Sequence, residues 1–183
     1  MFRNQYDTDV TVFSPQGRLH QVEYAAEAVN QGTVCLGLRN KTHVVLAALR
    51  RLPSELACHQ KKLFKVDDHM GVATSGLTAD GRSLVKYMRT EALNHKYVYG
   101  SQIQGSRMAL DLADMHQRCT QSYVRRPYGV GLLIGVTDQK VIAIALTNHR
   151  VVNRRHQRAQ DKHVRAAFKM LFGKVKPSHM HAR

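Results

Sequence analysis

Tyr6-Asp7-Thr8-Asp9-Val10-Thr11-Val12-Phe13-Ser14-Pro15-Gln16-Gly17-Arg18-Leu19-His20-Gln21-Val22-Glu23-Tyr24-Ala25 is the stretch on which the fold turns. At its centre Ser14-Pro15-Gln16-Gly17 places Pro second and Gly fourth in a tight turn, where the fixed φ of Pro and the steric freedom of Gly both fit. Beyond the turn, Leu19, Val22, Ala26 and Val29 recur at steps of three and four. That spacing predicts a short amphipathic helix over residues 18–30. Gly32 stands where a left-handed residue would end it.

Working outward, Thr33-Val34-Cys35-Leu36-Gly37-Leu38-Arg39 and His43-Val44-Val45-Leu46-Ala47-Ala48-Leu49 are apolar, β-prone segments divided by the polar Asn40-Lys41-Thr42. They predict a hairpin, and their near-continuous apolarity predicts a sheet covered on both faces. Residues 65–67 and 70–75 read as two more short strands, turning at Asp68-His69. Thr78 is placed to cap a long helix with Leu84, Met88, Glu91/Ala92 and His95 on one face. A second helix carries Met108, Leu112, Met115 and Cys119 on one face. After the breaker Arg126-Pro127-Tyr128-Gly129, residues 130–136 form a buried strand with residues 140–146 as its partner. Helix, strands, two helices, strands is the order of a layered α+β sandwich.

The chain has 183 residues, enough for one domain with a tail, and 43% of them are hydrophobic. It holds no apolar run of membrane-spanning length and opens directly into polar sequence, so a soluble intracellular protein is expected. Cys35, Cys58 and Cys119 are odd in number and lack paired spacing, which predicts reduced thiols rather than a disulfide frame or zinc site. His20, His43, His59, His69, His95 and His116 are scattered singly, and no glycine-rich phosphate loop or paired-carboxylate site is present. No cofactor and no metal are expected. The net charge of +15 is unevenly spread. Residues 1–137 hold 17 Lys/Arg against 11 Asp/Glu, whereas residues 138–183 hold 11 against only Asp138 and Asp161. The basicity belongs mainly to a tail.

The segment from Tyr6 to Ala25 closely resembles the N-terminal signature of the α-type subunits of the 20S proteasome. Gly76-Leu77-Thr78-Ala79-Asp80-Gly81-Arg82 and Arg125-Arg126-Pro127-Tyr128-Gly129-Val130-Gly131-Leu132-Leu133-Ile134 also look like motifs of that family, at fitting separations. The opening residues 1–7 and the stretch 54–62 resemble one type within it, and the resemblance covers residues 1 to about 136. It implies a four-layer αββα sandwich of the N-terminal nucleophile hydrolase type, incomplete at the C-terminus, set in a seven-membered ring on the catalytic β ring. It further implies a structural and gating role in ubiquitin-dependent protein catabolism, in cytoplasm and nucleus. The partners implied are other proteasome α and β subunits and regulatory particles, with no small-molecule substrate, nucleic acid or membrane.

By the same resemblance, residues 1–9 are gate material and residues 18–30 the helix that crosses the ring. Tyr6, Asp7, Pro15 and Tyr24 match the cluster that holds the open gate, with phenol and carboxylate giving hydrogen bonds and Pro fixing the chain's direction. The family often carries Arg next, and this chain has Thr8. Lys62 matches the lysine of the pockets that receive activator carboxylates, an anion suited to a flexible ammonium.

Two rival functions remain. Active members of the fold use an N-terminal Thr whose free amine is the base. Thr33 follows Gly32 and Lys62 aligns with the catalytic lysine, but Leu49 occupies the position where an acid is wanted, and α-type subunits are not catalytic. The other rival is nucleic-acid binding by the tail. Its only aromatics after Thr147, Phe168 and Phe172, fall at helical spacing, which favours packing over base stacking. The domain is read as residues 1–146, followed by a basic tail over 147–183 outside the family pattern, either unstructured or a single helix over 158–172.

Overall fold

The computed structural model describes residues 5–39, 43–52, 54–137, 141–147 and 150–153, the last two stretches as backbone alone. The turn at 14–17 closes as its residues dictate. Gly17 N–H donates to Ser14 O at 2.8 Å, Ser14 N–H to Arg18 O at 2.9 Å, and Gly17 takes φ +74°. Helix α1 follows over His20–Asn30, two residues later than the periodicity predicts, because Arg18 N–H is taken by Ser14 Oγ at 3.0 Å and belongs to the turn.

Strands β1 (Cys35–Arg39) and β2 (Val44–Ala48) pair antiparallel as the expected hairpin, with Leu38 opposite Val45. The second sheet is an antiparallel meander in chain order, β3 (Leu63–Asp67), β4 (Met70–Gly76), β5 (Val130–Thr137), β6 (Val141–Thr147) and β7 (Arg150–Asn153). Between β4 and β5 the chain builds α2 (Thr78–Tyr99) and α3 (Gly105–Gln121). These helices lie on the five-stranded sheet, and their apolar faces close the core around Leu84, Met88, Met108, Leu112 and Ile134, all fully buried. Each such side chain contributes about 1.5–3 kcal/mol on leaving water.

The two sheets meet face to face. A Cβ on Gly37 would lie 2.6 Å from Leu133 Cδ2, and one on Gly135 would lie 2.7 Å from Val44 Cγ1. Three layers are therefore described: the α2/α3 pair, the five-stranded sheet and the hairpin sheet. A fourth is absent among the described residues. Contrary to the expectation of a hairpin covered on both sides, Val45 is 57% and Leu38 39% exposed. Alternation explains it, since Val44 and Leu46 face β5 and their neighbour Val45 points away.

Two terminal devices differ from the sequence reading. Gly32 does not end α1 in a left-handed conformation; Gln31 closes the helix with φ −70°, and Gly32 N–H bonds Val29 O at 3.0 Å. Gly32 is needed for closeness, because its Cβ would fall 2.4 Å from Gly76 N and from Ser75 Oγ. Thr78 does not cap α2 either. It is the first helical residue, and its hydroxyl is occupied by Gln60 Nε2. Strand β7 lies beyond the boundary drawn at residue 146. The helix expected over 158–172 lies outside the described residues.

Candidate functional site

Two constellations gather the residues singled out by sequence. The first lies in front of α1. Tyr24, on the second turn of that helix, donates its phenol to Asp7 Oδ2 at 3.2 Å. Gln21, one turn earlier on the same face, donates its amide to Asp7 O. Asp7 is thus held at its side chain and its backbone, which pins the residues preceding the Pro15 turn to the helix that follows it. Val10, between them, is 5% exposed. Tyr6 is half-buried and Pro15 is exposed at the turn. The ring of His20 stacks on Tyr24 with centroids 6.3 Å apart. At the base of the helix, Arg18 Nε donates to Glu23 Oε1 at 2.6 Å and holds that carboxyl below the usual range. Gln21 was missed by the sequence reading, yet its i, i+3 spacing to Tyr24 is the signal that would have found it.

The second constellation lies between the sheets. Lys62, immediately before β3, is buried, and its ammonium donates to Thr33 Oγ1. The Thr33 hydroxyl in turn donates to Leu49 O at 3.0 Å, and Thr33 O accepts from Ser75 Oγ at 2.9 Å. Beside it, the Cys35 thiol contacts Thr74 O at 3.2 Å and is pushed up by burial, opposed in part by the Lys62 charge. Threonine and lysine therefore meet as a nucleophile and its partner would. What the geometry withholds is a base. Thr33 N is an amide bonded to Gly32 behind an intact α1, and the position of an acid is filled by Leu49, which offers a carbonyl and no carboxylate. Such a pair can tie β1 to β3 but cannot pass a proton as an N-terminal threonine does.

A third cluster had no sequence forecast as a unit. Asp80, in the first turn of α2, receives Arg126 on both oxygens, at 2.7 and 2.9 Å, and also Gly129 N–H at 3.0 Å. Arg126 is the first cause that holds the Asp80 carboxyl below its ordinary range. Among the described residues no group of three or more His, Cys, Asp or Glu could hold a metal, and no helix is long and apolar enough to cross a membrane. Cys35, Cys58 and Cys119 are free thiols.

An α+β fold whose half-buried threonine stays amide-linked behind a helix, with the preceding segment anchored to that helix, lacks the free amine that a threonine nucleophile needs. Comparison with known proteins gives the particular family. Residues 29–148 match the proteasome subunit family, and residues 6–28 match the N-terminal signature of A-type proteasome subunits. The chain is 57% identical over 139 residues to the alpha type-1 proteasome subunit of Dictyostelium discoideum, covering 76% of this chain and 56% of that protein. It is 54% identical over 140 residues to the alpha type-1 subunit of Drosophila melanogaster, covering 76% and 50%. It is 54% identical over 134 residues to the probable alpha type-6 subunit of Schizosaccharomyces pombe, covering 73% and 49%. The chain belongs to the proteasome subunit family, in its alpha-type, non-catalytic class. It spans about half the length of the curated relatives it matches. The family match reaches residue 148, past the point near 136 where resemblance was read to end.

Proposed function

We propose that this chain acts as a structural and gating subunit of the outer ring of the 20S proteasome, in ubiquitin-dependent protein catabolism, in cytoplasm and nucleus. Its partners on this reading are other proteasome α and β subunits and the regulatory particles. The observation that carries the proposal is the double hold on Asp7 by Tyr24 and Gln21 within the stretch matching the alpha-type signature. A pore-facing segment needs an anchor at its root, and α1 supplies one. The fold proposed for the assembled subunit is the four-layer sandwich. Lys62 is proposed to serve the pocket for activator carboxylates, although within this chain its ammonium is directed at Thr33.

Affinity-tagged and co-expressed with the remaining subunits of the particle, the chain should co-sediment with assembled 20S complexes. Recovery solely as free subunit or aggregate would reject the ring role. In assembled particles, Asp7→Ala should reduce activator-stimulated peptide hydrolysis while leaving sedimentation unchanged. Sequencing the amino terminus should find Met1 or Phe2; a terminus at Thr33 would establish a hydrolase instead.

A further inference from the structure

His116 is the most confined titratable ring in the described fold that the proposed function does not use. It sits on α3 at 3% exposure, and its Nδ1 lies 2.7 Å from Leu112 O. A carbonyl only accepts, so the ring proton belongs to Nδ1, and Nε2 is left as a bare lone pair. That Nε2 is buried and has no hydrogen-bond partner. The ring packs on Tyr128 with centroids 4.9 Å apart at 51°. Tyr128 belongs to the turn that carries the chain from α3 into β5. The charged group that acts on the ring itself is Asp80 from α2, while Cys119 on α3 and Arg125 lie around the Tyr128 ring on which it packs. Of these only Asp80 is a carboxylate, and three of its roughly four acceptor sites are taken, two by Arg126 and one by Gly129 N–H.

We propose that His116 is an acid-sensitive latch, in which gain of a second proton at Nε2 releases the turn over residues 125–129 from α2 and α3. A proton arriving at Nε2 creates a buried N–H with no acceptor in place. The imidazolium must either leave the core, abandoning Tyr128, or compete with Arg126 and Gly129 for Asp80. Both routes loosen the same turn. Burial, the leading influence on the ring, moves its protonation below the ordinary 6.5. The open form therefore takes up the proton first, and opening is favoured as pH falls below that value. Asp80, held below the ordinary carboxylate range, stays ionised through this window.

Hydrogen exchange on the full chain, normalised to intrinsic rates, tests the latch. Between pH 7.5 and 5.5 the Gly129 amide and its neighbours should lose roughly fivefold or more of their protection, within the tenfold-per-unit limit for one proton. In His116→Phe, which keeps a ring against Tyr128 but cannot be protonated, protection should not change with pH. No loss in the wild type, or an equal loss in the variant, overturns the proposal. Should His116→Phe fail to fold, His116→Gln, equally unable to take a proton in this range, replaces it: protection at Gly129 that no longer changes with pH supports the latch, and a loss equal to that of the wild type overturns it.

Discussion

Asp80 shows how much one side chain can organise. It is 8% exposed, yet it receives three charge-assisted or backbone hydrogen bonds and joins the start of α2 to the start of β5. Asp80→Asn keeps the shape but halves the acceptor capacity and removes the charge, so about 2 kcal/mol of stability should be lost, measured by urea unfolding. The folded carboxyl lies below its ordinary 3.8, so its stabilising contribution is complete above that value and disappears as pH falls through the folded value. The acid-unfolding curves of wild type and Asp80→Asn should therefore converge at low pH. This cluster was illegible in the sequence because 46 residues separate Asp80 from Arg126, and no periodicity links a helix's first turn to a distant loop. Asp7 and Tyr24 were legible because both fall within one continuous signature.

At the scale of elements, the apolar periodicities located α1, α2, α3 and the strands through β6, since burial on one face imposes a visible spacing. Helix ends were less legible. Caps depend on which polar groups happen to lie nearby, as Gln60 does at Thr78. Glycines divide by the same logic. Gly76 takes φ +105°, and a Cβ there would lie 2.3 Å from Gly129 O, a backbone atom that cannot swing aside. Gly17 takes φ +74° with nothing within 4 Å. Gly17→Ala should therefore cost about 1 kcal/mol in thermal or denaturant unfolding, the strain of a left-handed residue alone. Gly76→Ala should cost about 3 kcal/mol or more, because the same strain is joined by overpacking. Equal losses for the two would show that contact at the β4–β5 end does not matter.

For the whole molecule, the consequential feature is the face of the hairpin sheet that carries Leu38 and Val45. Exposed apolar area on a sheet invites association. The isolated chain should self-associate with rising concentration in sedimentation velocity, and Val45→Lys should suppress this without altering far-UV circular dichroism. That exposure contradicts the two-faced burial read from the hairpin's composition, because apolarity reports what a strand is built to meet and not whether the meeting occurs. The order in which the larger sheet can form is also constrained. Its pairings follow the chain, except that β4 and β5 join with Gly76 opposite Val130 across both long helices. Closing a loop of roughly 50 residues costs on the order of 3.5 kcal/mol in chain entropy before any constant term. The helical pair is expected to fold back first and shorten the search, which makes the seam between β4 and β5 the slow step; destabilising substitutions in that seam should then slow refolding in stopped-flow measurements more than equal ones in β3.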